Sequence, residues 1–434
     1  MPRWRWLMAQ MTRRLWVRAT LIGALGILAA ILAAVAERYI PWDMPGSIGA
    51  DAVDSILSII ASSMLAVTTF SLSIMVSAYG SATNNVTPRA TKLLIEDRLT
   101  QTVLSTFIGS FLFGIVGLIV LRTGAYGERG RVVLFVVTIA VIALVVISLL
   151  RWIDHLTRLG RVGETTDRVE EATRDALEIR LGQPYLGGTP FRGTAEHGLR
   201  SSFAVTTERI GYIQHVDMPA LARFCEAHDR DMYVNAVPGT FVYPHTPLVW
   251  IEDGASKDMG AALDAVKNAF SIGDERSFDQ DPRFGLAVMS EIGSRALSPA
   301  TNDPGTAIDV IGRNTRLLSL WSAGRRDGGD EEPDYPRVHV PPLDTDDLFE
   351  DAFMLMARDG AGLIEVQLRI QKALFALARM GDDAFRAAAL KQAGLALDRA
   401  QAALAMDADK ERLSDLVRRH SEGASPRPLR GSSG

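Results

Sequence analysis

Cysteine is almost missing from this chain. A single Cys225 in 434 residues excludes an intramolecular disulfide framework and a multi-cysteine zinc site. An excess of positive charge is missing as well. With 46 Lys+Arg against 51 Asp+Glu the formal net charge is −5, which gives no support for nucleic-acid binding. There is no phosphate-cradling glycine loop ending in Lys-Ser/Thr, no Gly-x-Gly-x-x-Gly and no His-Glu-x-x-His. Serine, histidine and aspartate are all present, but no nucleophile-elbow pattern appears. His215, His228 and His245 lie near Asp217, Glu226 and Asp229, without metal-ligand spacing. No catalytic residue, cofactor or metal is therefore expected, and the chain does not read as an enzyme.

Apolar runs are what the chain has in abundance, and they gather at one end. Ala19–Ala36, Ser55–Gly80, Val103–Leu121 and Val132–Leu150 are each near the ~20 residues that a bilayer crossing requires. The first run ends near Ala34-Val35-Ala36 and can imitate a secretory signal with a small-residue cleavage site. Its length, and the Arg/Trp cluster before it (Arg3, Trp4, Arg5, Trp6, Arg13, Arg14, Trp16, Arg18), favour a span anchored at the inner interface. The basic flanks set an orientation. The N-terminus, the Ser81–Gln101 loop and the stretch carrying Arg151, Arg158, Arg161 and Arg168 are rich in arginine. The acidic Glu37–Asp54 loop has only Arg38. Four spans with both termini cytoplasmic fit this best, although Arg122, Arg129 and Arg131 dissent mildly. The expected location is the bacterial cytoplasmic (inner) membrane, with the lipid bilayer as first partner.

Small residues recur four apart: Gly26, Ala30 and Ala34, then Ser105 with Gly109 and Ser110 with Gly114. Such pairs let helix backbones approach closely in lipid, so a tight bundle is expected, within one chain or between chains.

The second run carries hydroxyls at helical spacing. At 100° per residue, Ser55, Ser58, Ser62, Thr69, Ser73 and Ser77 fall within roughly 60° of one line. Ala66 and Gly80 share that arc, Ile59, Phe70 and Val76 lie inside it or on its edge, and Met64, Leu72 and Met75 lie outside. Two readings of the stripe stand. Several subunits can place it around a shared pore, where hydroxyls replace part of an ion's hydration. Alternatively, it packs against the chain's other three spans. Arg89, Lys92 and Arg98 at the expected inner mouth lean towards anions. No carboxylate lies between Ser55 and Gly80, which favours a channel over a proton-coupled carrier.

Beyond Trp152 the sequence is that of a soluble protein. The organisation read from it is a four-span domain over 1–151, a membrane-proximal helix and linker over 152–200, and a small α+β module over 201–258. A helical cytoplasmic domain over 259–420 and a disordered tail over 421–434 follow. In the module, Ser202–Thr207, Gly211–Val216, Asp231–Val237 and Pro247–Glu252 read as strands and Met218–His228 as a helix, suggesting a small β-barrel-like fold. From Met259 the reading is helical. Ser322–Pro342 is a loop, and Leu348–Met380 and Asp382–Arg419 are the closing helices. Ser298, Asn302, Asp303 and Thr306 form a polar turn in which Asp303-Pro304 starts a helix. That turn is either a ligand or gating site or a capped helix–helix corner. The fold class is thus a membrane protein: a four-helix transmembrane region, a cytoplasmic α+β module and a mainly helical C-terminal part.

Several stretches together resemble a known family. They are Arg3-Trp4-Arg5-Trp6-Leu7, Phe70-Ser71-Leu72-Ser73, Pro88-Arg89, Asp97-Arg98…Gln101 and Pro238-Gly239-Thr240-Phe241-Val242. Gln280-Asp281-Pro282…Gly285 and, above all, Arg295-Ala296-Leu297-Ser298-Pro299…Asn302-Asp303-Pro304…Thr306-Ala307 complete the set. The chain resembles bacterial predicted membrane proteins grouped as domain of unknown function 2254, and departs from their pattern at Asn84-Asn85. The resemblance implies a four-span part joined to a cytoplasmic part and carries no assigned activity. The function expected is that of a homo-oligomeric ion channel or pore lined by the second span, passing inorganic ions. The alternative is a membrane-anchored cytoplasmic sensor or scaffold.

Overall fold

A computed structural model of the protein describes residues 2–36, 50–95, 97–123, 128–158, 160–191, 202–252, 260–327 and 332–424. Most of the Glu37–Asp54 loop, the middle of the Thr123–Gly130 turn, the second half of the Gln183–Gly198 linker and the tail from 425 lie outside the described residues. The chain divides into two compact units. One comprises Trp6–Asn84 and Pro88–Thr165, and the other Met1–Arg5, Asn85–Thr87 and Thr166–Gly434.

The first unit is helical: α1 (Arg3–Thr12), α2 (Leu15–Ala36), α3 (Ala50–Asn85), α4 (Pro88–Ile95), α5 (Arg98–Arg122) and α6 (Glu128–Leu156). Four of these helices are long and apolar enough to cross a membrane: Leu15–Ala33, Ala52–Ser81, Arg98–Arg122 and Gly130–Leu156. α5 is the most enclosed of them. Its small residues explain why. A Cβ on Gly26 would stand 2.6 Å from the Gly109 carbonyl oxygen, and one on Gly114 would stand 3.1 Å from the Leu57 carbonyl oxygen. The four-residue spacing therefore marks real backbone-to-backbone approaches of α5 with α2 and α3. Two apolar clusters fill the bundle. One holds Ala30, Ala33, Val53, Leu57, Phe113 and Leu134, the other Ile60, Met64, Val103, Phe107, Val145 and Trp152. Asp97 caps α5 by accepting from the Thr100 backbone N–H at 2.8 Å, and His155 Nε2 near the end of α6 meets the same carboxylate at 3.0 Å.

The second unit begins in α7 (Val162–Gly182) and continues as a mixed region. Its strands are β1 (Gly188–Pro190), β2 (Ser202–Thr206), β3 (Gly211–Val216), β4 (Met232–Val234), β5 (Phe241–Val242), β6 (Pro247–Glu252), β7 (Phe270–Gly273) and β8 (Tyr335–Val340). They do not close into a barrel. A five-stranded sheet has the order β1-β8-β4-β6-β2, and a three-stranded sheet the order β5-β3-β7. Helices α8 (Met218–His228) and α9 (Gly260–Asn268) accompany them. The core of this region includes Val216, Leu221, Cys225, Met232, Val249, Ile251 and Val338.

The strand β8 corrects the loop reading of Ser322–Pro342. It pairs parallel with β4 (Met232 opposite Val338) and with β1, buries Val338 and Val340, and thereby ties the region after 259 into the sheet. The helical remainder is α10 (Pro282–Ala296), α11 (Pro304–Asp327), α12 (Thr345–Asp359), α13 (Ile364–Leu377), α14 (Asp383–Ala403) and α15 (Asp407–Ala424). Each of the two closing helices expected from the sequence is thus a pair, broken after Asp359 and after Ala403. Aspartates at 281, 344 and 382 cap α10, α12 and α14 through side-chain acceptors. Buried amides pin the helices together: Asn314 Nδ2 donates to the Ala352 carbonyl at 2.7 Å and Gln371 Nε2 to the Ala393 carbonyl at 2.8 Å.

Candidate functional site

The hydroxyl stripe lies on α3, and its direction decides what it can do. Ser55, Ser58, Ser62, Thr69, Ser73 and Ser77 are all exposed. The opposite face of the helix, with Val53, Leu57, Ile60, Ala61, Met64, Ser71 and Met75, is buried against the bundle. Packing against the chain's own spans therefore does not account for the stripe. The hydroxyls donate inward to the helix itself. Ser62 Oγ bonds the Ser58 carbonyl at 2.9 Å and Thr69 Oγ1 the Leu65 carbonyl at 2.9 Å. Back-bonding of this kind satisfies the proton while leaving oxygen lone pairs directed outward. Ile59, Phe70 and Val76 interrupt the stripe and are themselves exposed, Phe70 by 67%.

The basic residues expected at the inner mouth stand on two other elements, Arg89 and Lys92 on α4 and Arg98 at the start of α5. All three are exposed, and Arg89 and Lys92 have interaction partners.

The turn before α11 is a compact corner. Asn302 adopts a left-handed φ of 48°, its N–H bonds the Ser298 carbonyl at 2.8 Å, and the Asp303 N–H bonds the Ala296 carbonyl at 2.8 Å. Ser298 Oγ reaches Thr301 Oγ1 at 3.2 Å. The Asp303 carboxylate accepts from both the hydroxyl (2.6 Å) and the backbone N–H (3.1 Å) of Thr306, and these bonds lower its pKa. The backbone N–H groups of Asn302 and Asp303, the hydroxyls of Ser298 and Thr306 and the Asp303 carboxylate are used for capping or closing the turn.

The histidines are dispersed. His228 bonds the Phe224 carbonyl, and His245 pairs with Glu208. Among the described residues, no three metal-binding side chains gather.

A family model described as Predicted membrane protein (DUF2254) matches residues 12–376. The chain belongs to this family. It is similar to an uncharacterized protein of Mycobacterium tuberculosis (strain CDC 1551 / Oshkosh), 26% identical over 281 residues that cover 62% of this chain and 52% of the relative. An uncharacterized protein of Mycobacterium bovis (strain ATCC BAA-935 / AF2122/97) is 25% identical over 281 residues, with the same 62% and 52% coverage. The chain spans about half the length of the curated relatives it matches. No solved structure matches it. Family description and apolar helices together make this a membrane protein with transmembrane-type helices.

Two stretches that carry the DUF2254 resemblance meet in the second unit. The turn Pro238-Gly239-Thr240 lies against Asp281 of Gln280-Asp281-Pro282, where a Cβ on Gly239 would come within 2.4 Å of Asp281 Oδ2. Asp281 is buried and receives two bonds from Arg276, Nε to Oδ2 at 2.7 Å and Nη2 to Oδ1 at 2.9 Å, while capping Phe284 N. Arg180 lies buried beside it and donates to the Gln280 carbonyl at 3.1 Å. Burial pulls that guanidinium down to about 10, with Asp281 opposing. Gly285, in the same stretch, stands where a Cβ would strike Thr173 Oγ1 of α7 at 2.1 Å.

A second network was not singled out from the sequence. Glu170 of α7 takes Arg316 Nε at 2.9 Å and Arg313 Nη1 at 2.9 Å, and Arg313 also holds Asp167 and Asp309. Burial alone would raise the Glu170 carboxyl, but the two guanidiniums outweigh it and hold it below the usual range. Its sequence signal was an arginine pair at 313 and 316, three apart on one helix, with no acidic partner nearby except Asp309.

Proposed function

We propose that the chain is one subunit of a homo-oligomeric ion channel or pore in the bacterial cytoplasmic membrane, with α3 lining the path. The observation that carries this reading is the outward direction of the stripe. Six hydroxylated positions occupy the side of α3 that the chain's own bundle leaves uncovered. Hydroxyl oxygens in lipid gain nothing from their surroundings. Around a shared axis they replace part of an ion's hydration shell. A single chain with four spans and no internal repeat does not enclose a path, so several copies are needed.

On this reading Ile59, Phe70 and Val76 form dry constrictions, and Arg89, Lys92 and Arg98 favour anions at the cytoplasmic mouth. Both termini are cytoplasmic, following the basic flanks. The soluble part assembles or gates the pore, with no catalytic step assigned to it. The stripe carries no carboxylate, which favours a channel over a proton-coupled carrier.

A second reading, an anchored cytoplasmic sensor or scaffold, is favoured by a cationic cavity in the C-terminal helices, described below. Ion flux separates the two. Purified protein in liposomes is tested with potassium and chloride gradients beside a Thr69→Leu variant. Flux that this substitution abolishes supports the channel. Folded, inserted protein that passes neither ion is the scaffold's result.

A further inference from the structure

The C-terminal helices form a pocket of about 360 Å³ open to solvent, lined by Leu368, Lys372 and Arg379 from the α13 side and by Arg412, Leu416, Arg419 and His420 from α15. That is within the size range of small-molecule sites. Its rim is of one sign, with four permanent cations and one histidine and no carboxylate. Among the described residues, none of Lys372, Arg379, Arg412 and Arg419 forms an ion pair. Other cations of α15 do: Lys410 is 3.8 Å from Asp407, and Arg418 is 2.7 Å from Asp415. The helix therefore neutralises the charges it points elsewhere and leaves those facing the cavity uncompensated.

Lys372, Arg379, Arg412 and Arg419 are exposed, so their like charges are screened by salt and attract an anion most strongly at low ionic strength. The chain as a whole is acidic, so this concentration is not a by-product of composition. The floor is apolar, with Leu368 and Leu416 buried in a small cluster with Ala400, Leu404 and Leu413. His420 Nδ1 donates to the Leu416 carbonyl at 2.9 Å, which leaves Nε2 available, and its ring lies 5.4 Å from that of Phe375. Arginine forks match phosphate oxygens in pairs, and four cations carry more positive charge than the roughly −2 of a single phosphate offsets. The sequence after 424 carries Arg427 and Arg430 and no acidic side chain, so it does not complement the site.

We propose that the cavity between α13 and α15 binds a small molecule bearing two or more phosphate groups, held by Lys372, Arg379, Arg412 and Arg419 with its apolar part over Leu368 and Leu416. Five of its seven lining residues lie beyond residue 376, where the family match ends. The site stands whether or not the spans conduct.

The test uses the full chain in nanodiscs of zwitterionic lipid. Inorganic pyrophosphate, a nucleoside triphosphate and orthophosphate are titrated by calorimetry at low salt against wild type, Arg379→Gln, Arg412→Gln and the double variant. Arg418→Gln is the control, since Arg418 is paired to Asp415 and does not line the cavity. Saturable binding of pyrophosphate or the triphosphate is expected, roughly tenfold weaker for each guanidinium removed and roughly tenfold weaker for orthophosphate. The control is expected to stay within roughly twofold of wild type. A second arm dopes the nanodiscs with cardiolipin, a diphosphorylated lipid, and reads the thermal midpoint. A rise in wild type that the double variant loses, without binding of the soluble compounds, identifies a lipid headgroup as the source. The proposal is overturned if neither arm gives a saturable effect, or if the double variant keeps it.

Discussion

Gly239 lies so close to Asp281 that a methyl group in place of its hydrogen would come within 2.4 Å of the carboxylate. Its φ of +92° is one that side-chain-bearing residues rarely adopt. One turn thus seals a buried carboxylate that two arginines neutralise, with Arg276 as its direct partner and Arg180 alongside. Gly239→Ala meets both obstacles at once. It is expected to destabilise the second unit by about 2 kcal/mol or more, read as a lowered thermal midpoint of the full chain. Thr240→Ala, at the next position, is the comparison, and an equal loss there would remove the close approach as the reason.

Glu170 should give the chain a visible acid limit. Its folded pKa lies below the unfolded value, because Arg316 and Arg313 favour the charged form over the opposing effect of burial. The stabilisation is therefore complete above the unfolded pKa of about 4.3 and is lost as pH falls through the folded one. With the carboxylate side chain only 10% exposed, Glu170→Gln is expected to cost roughly 3 kcal/mol at neutral pH. It should also flatten the fall in thermal midpoint below about pH 4, which thermal melts across a pH series measure.

The contact of Gly26 with Gly109 sets how closely α2 and α5 approach. Gly26→Val drives a branched side chain into the Gly109 carbonyl, 2.6 Å from the would-be Cβ, and is expected to cost about 1–3 kcal/mol. Gly80→Ala, where nothing lies within 4 Å, should leave the melting profile in detergent unchanged.

These relationships were legible in the sequence to unequal degrees. The spans were readable because apolar length is a local property, and the Gly26, Gly109 and Gly114 spacing announced close packing for the same reason. β8 was not. Tyr335–Val340 contains a proline and follows a Gly/Asp/Glu-rich stretch, and it becomes a strand only through parallel partners roughly 100 to 150 residues away. The stripe was visible as a face, but periodicity tells which residues share a side of a helix and not what that side meets. The cationic cavity was hidden for a related reason. Arg412 and Arg419 share a face of α15 at a spacing of seven and Arg379 lies just past the end of the helix that carries Lys372, yet the two pairs lie far apart in sequence and meet only when α13 packs on α15.

Water at the stripe is the central claim, and single cysteines in a Cys225→Ser background measure it most directly. Cysteine is placed in turn at Ser62, Thr69 and Ser73, and at Leu65 and Leu72, which are exposed on α3 but outside the hydroxylated arc. Reconstituted protein is then treated with a membrane-impermeant thiol reagent. Reaction at the three stripe positions, with loss of ion flux, and none at Leu65 or Leu72 is the expected result. Stripe cysteines as unreactive as those two would place the hydroxyls in lipid or in a dry contact between helices, and would contradict the pore.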